Sequence, residues 1–157
     1  MAVYSERMSQ SNKDVVMTAW KKFSTRNPAV IEACFTEDAA WIVPERNATA
    51  LALGRGHVKR LNRQEIAEFV ARDFGRVFVS DVNIEVKGVY GDGDTVIVEQ
   101  RFSAKLPSGK PYENDYCFVF KVRDGKIAEM REYMDTLSGF RQIFGEDSVK
   151  ASAAVVA

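Results

Sequence analysis

The second half of the chain consists of strand-length apolar segments separated by short turns, and this feature restricts the possible folds most. Four segments enriched in β-branched and aromatic residues, with apolar and polar positions alternating, lie at 82–90, 95–106, 112–122 and 127–134. Three intervening segments of turn-forming residues lie at 91–94, 107–110 and 123–126. Consecutive strands joined by such short turns pair as an antiparallel meander. A long meander twists and coils, so it leaves a concave face that helices can cover.

The first half of the chain predicts helices around one short strand. Apolar residues at helical spacing over 12–25 indicate an amphipathic helix. Asn27 followed by Pro28 is typical of an N-cap and the first position of a second, short helix. Residues 39–43 predict a short strand, which Pro44 ends because proline cannot donate to a strand ladder. Helices therefore precede the meander.

A loop and two capped helices complete the predicted fold. Residues 45–61 lack a clear period and predict a long loop, a kind of segment that is often functional or mobile. Asn62 and Glu65 are spaced as a capping box that opens a helix, and Gly75 suits the end of that helix. Asp135 can cap a last helix after the final strand. We therefore predict an α+β fold in which helices cover one face of a curved antiparallel sheet and leave a concavity.

Length and composition limit the domain organisation and exclude two function classes. The 157 residues suit a single domain, with flexible tails expected at 1–11 and 146–157. Lys and Arg together number 22, as do Asp and Glu, so the net charge is zero and the basic excess of a general nucleic-acid binder is missing. No apolar segment reaches the length of a transmembrane helix. We expect neither nucleic acid nor a membrane as a partner.

Few residues are available for metal or thiol chemistry. His57 is the only histidine and stands in the predicted loop, so the sequence predicts no metal site. Cys34 and Cys117 are isolated in sequence and indicate a reduced, cytoplasmic protein without a disulfide framework. Any catalysis would then depend on carboxylates, Tyr, Arg, Lys or a thiol, and no cofactor is expected.

Several segments of the chain resemble the nuclear transport factor 2-like superfamily. The segments that carry the resemblance are FTEDAAW at 35–41, LPSGKPY at 106–112, FVFKVRDGKI at 118–127 and REYMD at 131–135. More narrowly, the chain resembles the SnoaL-like polyketide cyclases and the limonene epoxide hydrolases over nearly its whole length, from Val15 to Gly145. The resemblance implies a cone-shaped α+β barrel around an apolar pocket, often as a homodimer formed across the sheet.

The resemblance also implies a polar trio inside the pocket. Limonene epoxide hydrolases place an Arg and an Asp two apart on the second meander strand and another Asp on the last strand. The matching positions here hold Glu99, Arg101 and Glu132, with the acid and the base exchanged on the second strand. Such a trio can keep one carboxyl protonated as an acid while the other acts as a base. Alternatively, it can be a buried ion-pair network with a structural role alone.

Strand alternation and the resemblance together predict the pocket wall, because residues two apart on a strand share a face. The expected substrate-binding residues are Trp41, Val43, Asn114, Tyr116, Met130 and Met134. Trp41 and Val43 stand where the epoxide hydrolases hold water with Tyr and Asn, and Val43 also stands where ketosteroid isomerases carry a general-base Asp. The alternative for Trp41, Met130 and Met134 is plain core packing, and for Tyr116 a core ring with a satisfied hydroxyl.

Three functions remain open from the sequence. The first is an enzyme that uses Glu132, Glu99 and Arg101 for general acid–base catalysis on a mostly apolar metabolite with one or two oxygens, as an isomerase, a cyclase or an epoxide hydrolase-like enzyme. The second is a non-catalytic binder or carrier that uses the same pocket. The third is a protein-interaction module that uses the outer face of the sheet. That face, near Arg131 and Tyr133, is also the expected contact of a homodimer.

Overall fold

One curved sheet of six strands organises the fold. The computed structural model of the protein describes residues 2–148, with side chains from residue 6 onward. The strands are β1 Phe35–Ile42, β2 Arg60–Asn62, β3 Ser80–Asp92, β4 Thr95–Lys105, β5 Pro111–Arg123 and β6 Lys126–Met134. Their spatial order is β2-β1-β6-β5-β4-β3.

Strand pairing confirms the predicted meander and adds one parallel contact. β3, β4, β5 and β6 pair antiparallel in chain order. β1 lies parallel to β6, with Trp41 opposite Met130, and β2 pairs antiparallel with β1 at the edge of the sheet. The parallel contact joins the first strand of the chain to the last, so side chains of β1 and β6 face the same concavity.

Helices cover the concave face of the sheet. They are α1 Ala2–Phe23, α2 Pro28–Glu32, α3 Ala48–Ala52, α4 Arg63–Glu68, a π-helix at Phe69–Asp73, α5 Phe74–Val77 and α6 Thr136–Phe144. A 3₁₀ turn at Glu146–Ser148 begins the predicted C-terminal tail, and the rest of that tail lies outside the described residues. No helix within residues 2–148 is long and apolar enough to cross a membrane.

The first helix starts earlier than the sequence pattern indicated. It begins at Ala2, so residues 2–11, which the sequence predicted as a tail, continue the helix. The Asn12 side chain donates to Gly93 O at 2.9 Å and so ties α1 to the turn between β3 and β4. A Cβ added at Gly91 would clash with the Ser9 side chain, which shows how closely the helix approaches that turn. Tertiary contact therefore extends the helix beyond its amphipathic window.

The predicted loop at 45–61 contains two short elements, and β1 is longer than the predicted strand. Asn47 caps α3, because its side-chain oxygen accepts from Ala50 N at 2.9 Å while its amide donates to Pro44 O at 3.1 Å. β2 at the end of the segment pairs with the edge of β1. Neither element has enough residues to show a period in the sequence.

The helical segment after β2 begins as predicted and ends later. The Asn62 side chain accepts from Glu65 N at 3.0 Å, and the Glu65 carboxylate accepts from Asn62 N at 2.7 Å, which confirms the capping box. The segment then passes through the π-helix and α5, so Gly75 lies inside it and the end falls at Phe78. The ring of Phe78 packs 4.9 Å from Phe102 of β4, and this packing favours the extra turn.

Two groups of buried aromatic side chains flank a space between the helices and the sheet. In the first, Trp20 of α1 packs edge-to-face on Phe118 of β5, with ring centroids 5.1 Å apart. In the second, Phe78, Phe102 and Tyr112 pack together, with Phe78 4.9 Å from Tyr112. Members of both groups line the space between them, which positions the candidate site.

Candidate functional site

A cavity of about 220 Å³ lies between the helices and the inner face of the sheet. Its wall is mainly aromatic and aliphatic, and it includes both tryptophans of the chain, Trp20 and Trp41. Phe69 packs edge-to-face on Trp41 with centroids 5.4 Å apart and so stiffens one side of the wall. A concave apolar surface with a few polar groups is the usual form of a small-molecule site.

Glu132 provides the only carboxylate on the cavity wall within the described part of the chain. It lies on β6 opposite Phe118 of β5, and strand alternation turns it inward as the sequence predicted. Protein surrounds the side chain, and the surface it retains faces the cavity. This burial raises the pKa of the Glu132 carboxyl to about 7, because an apolar environment disfavours the charged form. A carboxyl with such a pKa can donate or accept a proton near neutral pH.

The Trp41 indole offers a hydrogen-bond donor beside this carboxyl. Trp41 is only 8% exposed, and its buried Nε1–H reaches no acceptor at normal hydrogen-bond geometry. The N–H is still close enough to Glu132 to favour the carboxylate, which lowers the pKa of that carboxyl and partly offsets the effect of burial. Burial has the larger effect. Since buried polar groups usually have partners, the free N–H is suited to a ligand atom.

A chain of hydrogen bonds orients the hydroxyl of Tyr116. The Asn114 amide donates to Asp135 O at 2.9 Å and to the Tyr112 hydroxyl at 3.4 Å. The hydroxyl oxygens of Tyr112 and Tyr116 lie 2.9 Å apart. Within the described part of the chain, the buried Tyr112 hydroxyl has no acceptor other than Tyr116, so we assign the Tyr112 proton to Tyr116 and the Tyr116 proton to the cavity. Burial raises the pKa of both phenols, so both stay protonated as donors.

Comparison with known proteins places this chain in a family. The family model of the SnoaL-like domain matches residues 16–130, which is most of the chain. The chain belongs to the SnoaL-like domain family. No curated protein sequence matches it significantly.

Solved structures that resemble this SnoaL-like domain share its fold at low sequence identity. TerC, co-crystallised with polyporic acid, is 22% identical with a TM-score of 0.70, over 85% of this chain and 98% of that one. A protein from Jannaschia sp., provisionally named a SnoaL-like polyketide cyclase, is 19% identical with a TM-score of 0.69, over 87% and 93% of the two chains. An M. tuberculosis epoxide hydrolase of the limonene epoxide hydrolase-like type is 18% identical with a TM-score of 0.65, over 87% and 91%. At these identities the likeness shows the fold alone.

The SnoaL-like domain does not bring the predicted polar trio together. Glu132 faces the cavity, but Glu99 and Arg101 lie on the outer face of the sheet, so the expectation that all three share the pocket is wrong. Glu99 accepts a hydrogen bond from the Tyr90 hydroxyl at 3.2 Å. Arg101 forms an ion pair with Asp115 of β5 at 3.0 Å and a second ion pair with Glu113, also on β5, at 3.2 Å.

Glu99 and Arg101 point outward because the other set of alternating residues on β4 forms its inward face. The buried inward side chains are Val96, Val98, Gln100, Phe102 and Ala104. Gln100 is 4% exposed, lines the cavity opposite Tyr116, and accepts a hydrogen bond from Trp20 Nε1 at 2.6 Å. The sequence held the signal that locates Gln100, since its neighbours two positions away on either side are apolar.

Three of the predicted pocket-wall residues line the cavity and three do not. Trp41, Val43 and Tyr116 are on the wall. Asn114, Met130 and Met134 face the same side of the sheet without being part of that wall. Met130 is fully buried in the core, and Asn114 holds Tyr112 in place, as described above. Met134 lies under α6, where its Cε is 3.0 Å from a Cβ that Gly139 would carry.

The helical side of the wall was not predicted from the sequence. It contains Arg26, which follows α1, and Arg55, which follows α3. Both arginines lie in segments without periodicity, so no sequence pattern indicates where they point. Arg55 belongs to a basic segment that would ordinarily be solvated.

Proposed function

We propose that the protein is an enzyme that moves a proton on a small, mostly apolar carbonyl compound held in the cavity. Glu132 is the acid and base, and the Tyr116 hydroxyl donates to the carbonyl oxygen. The observation that carries the proposal is the single cavity carboxyl with a pKa of about 7. A base whose pKa lies near the working pH is ionised in a large fraction of the molecules and still binds a proton strongly enough to remove it from the substrate.

The reaction can be written with one base. The Glu132 carboxylate takes a proton from the carbon next to the carbonyl, and the electron pair moves onto the carbonyl oxygen. The Tyr116 O–H stabilises the resulting enolate, as hydrogen-bond donors do for developing oxyanions. If the substrate is a β,γ-unsaturated ketone, the enolate is a dienolate, and the Glu132 carboxylic acid returns the proton to its γ carbon, which completes an isomerisation and restores the carboxylate. Alternatively, the enolate carbon attacks a second carbonyl of the same molecule, and the acid protonates the new alkoxide, which completes a cyclisation.

An epoxide hydrolase-like reaction is less well supported. In the arrangement that the sequence suggested, two carboxylates and an arginine share the pocket. Here Glu99 and Arg101 bind partners on the outer face, and Glu132 is left without them. Since a single carboxyl can take and return the same proton, isomerisation or cyclisation suits this cavity better. The fold's occurrence in TerC, which was co-crystallised with polyporic acid, supports a small organic ligand.

Deuterium exchange tests the proposal without knowledge of the product. Enones, cyclic ketones and aromatic polyketide-like ketones are incubated with the protein in D₂O, and NMR follows deuterium incorporation next to the carbonyl. We expect exchange with at least one compound, and Glu132→Gln should slow it by about 10²- to 10⁴-fold because the base is removed. Glu99→Gln on the outer face is the matched control and should exchange at the wild-type rate. A ligand that binds in the cavity without any exchange would instead indicate a carrier.

We also propose that the protein is a homodimer formed through the outer face of the sheet. Tyr133 of β6 is 55% exposed there, and Cys117 of β5 lies opposite it in the register. Val119 and Arg131 continue this mixed, partly apolar surface on the same two strands. Cys34 and Cys117 are both free thiols, which supports the further proposal of a reducing, cytoplasmic location.

A further inference from the structure

Two arginines line the helical side of the cavity, away from the strand that carries Glu132. Both dock on one helical turn that borders the cavity. The Arg26 Nη1–H donates to Val70 O at 2.7 Å, and Arg55 donates to the Asp73 carboxylate. Both acceptors belong to the π-helix Phe69–Asp73, so both guanidiniums are held at the same short segment beside the cavity.

Arg26 carries a charge that the described part of the chain leaves without a counterion. Its guanidinium lies over the Phe74 ring, 4.5 Å from the centroid, and no carboxylate among residues 6–148 forms an ion pair with it. Burial lowers the pKa of Arg26, so the charge is partly desolvated, although a guanidinium stays protonated at neutral pH. Its bond to Val70 uses one of five N–H donors. A partly desolvated cation with free donors on a cavity wall is suited to a bound anion.

The neighbouring ion pairs leave a positive excess at the same edge. Asp73 is buried and is shared by Arg55 and by Arg76, whose Nη1 lies 3.2 Å from Asp73 Oδ1. With Arg26, the cluster contains three guanidiniums and one carboxylate. The rest of the cavity wall is apolar apart from a few uncharged polar groups and Glu132. An anion entering the cavity is therefore attracted to this edge and repelled from Glu132 when that carboxyl is ionised.

We propose that Arg26, assisted by Arg55, binds a carboxylate of the substrate, so that the ligand is an amphipathic carboxylic acid. Its apolar body fills the aromatic cavity, its acid group lies at the arginines, and its carbonyl lies near Glu132 and Tyr116. A planar carboxylate accepts two parallel N–H bonds from one guanidinium, which a neutral ester or amide group cannot do equally well. The position of the ligand's carbonyl group rests on the function proposed above, whereas the position of its carboxylate rests on the arginines alone.

Intrinsic fluorescence can test the acid end directly, because Trp20 and Trp41 are the only tryptophans and both line the cavity. The probes are 4-phenylbutanoate, 5-phenylpentanoate and 6-phenylhexanoate, each paired with its primary amide. At low salt, we expect the best acid to bind about 10- to 100-fold more tightly than its amide, the range expected for hydrogen bonds to charged groups. Raising the salt concentration should weaken binding of the acid and leave that of the amide unchanged.

Variants then assign the preference to Arg26. Arg26→Met should bring acid and amide affinities within about twofold of each other, since methionine offers the ligand carboxylate neither a charge nor an N–H donor. Arg46→Met is the matched control, because Arg46 is an exposed arginine whose φ of 58° resembles the 54° of Arg26 and which is not on the cavity wall. It should keep the full preference for acids. Arg26→Lys, which keeps the charge but not the planar fork, should show an intermediate preference and serves if Arg26→Met does not fold.

Two results would overturn the inference. One is that no acid of the series binds more tightly than its amide. The other is that Arg26→Met, or Arg26→Lys in its place, keeps the full preference, which would leave Arg26 the structural role of packing on Phe74 and bonding Val70. Neither result bears on the proton transfer, because deuterium exchange into neutral ketones depends on Glu132 and is measured separately.

Discussion

Tyr116 and Glu132 are diagonal neighbours on the inner face of the sheet. Tyr116 of β5 lies opposite Met134 of β6, and Phe118 lies opposite Glu132, so the two functional side chains are offset by one inward position. Diagonal side chains of this kind are within reach of each other when they are long. A ligand carbonyl oxygen bound at Tyr116 thus places the carbon next to that carbonyl near Glu132.

Glu132→Gln should change the pH dependence of stability. The Glu132 carboxyl has a pKa of about 7 in the folded protein, against 4.5 for an unperturbed glutamate. Between those pH values the folded protein holds a proton that the unfolded chain has lost, so the free energy of unfolding falls as the pH rises and levels off above about pH 7. The loss amounts to at most about 3 kcal/mol.

Urea unfolding at pH 4.5 and at pH 8 checks this prediction. Since glutamine does not titrate, the variant should be more stable than the wild type at pH 8, by up to about 3 kcal/mol, and similar to it at pH 4.5. Glu99→Gln removes a carboxyl from the exposed face and should show no such difference between the two pH values. An equal effect of Glu132→Gln at both pH values would contradict a raised pKa.

The rate of deuterium exchange should rise with pH and reach half of its maximum near the pKa of Glu132, about 7. The carboxylate is the reactive form, so the rate is lost as the pH falls below that value. The measurement is the exchange rate of the best ketone from pH 5 to pH 9. A profile that is flat across this range would exclude Glu132 as the base.

Tyr116→Phe should slow exchange by about 10²- to 10³-fold, the usual cost of removing one donor to a developing oxyanion. Ligand affinity should change much less, because the donor is needed most when charge develops on the oxygen. The variant Tyr112→Phe leaves the donor in place but removes its partner, and a smaller loss is expected. If the two variants lost equal activity, the free Tyr116 proton would not be the donor.

Tyr133→Asp should convert the proposed homodimer to a monomer, because a charge placed in the contact would have to be desolvated. Tyr133 is exposed on the outer face, away from the cavity. Light scattering at high micromolar concentration measures the mass of each protein. Leu137→Asp, at another exposed apolar residue, on α6, is the control and should remain a dimer. A wild-type monomer at this concentration would exclude the contact.

The sequence by itself determined most of the secondary structure and the family. Alternation and turn residues located β3 to β6, and Asn62 with Glu65 located the start of α4, because these signals are local and depend on a few adjacent residues. Glu132 could be placed on the inner face for the same reason, since its apolar neighbours two positions away on β6 share its side of the strand.

Only the tertiary structure decided which of these residues meet. Alternation grouped Glu99 with Arg101, and the resemblance placed that pair inside, whereas the apolar neighbours of Gln100 favoured the other face of β4. The packing of α1 on Gln100 decided between the two faces. Arg26 binds Val70, which is 44 positions further along the chain, and it lies in a turn whose sequence shows neither helical nor strand periodicity. Such contacts depend on the angles and distances at which separate elements pack, and these are set by the whole core rather than by any local pattern.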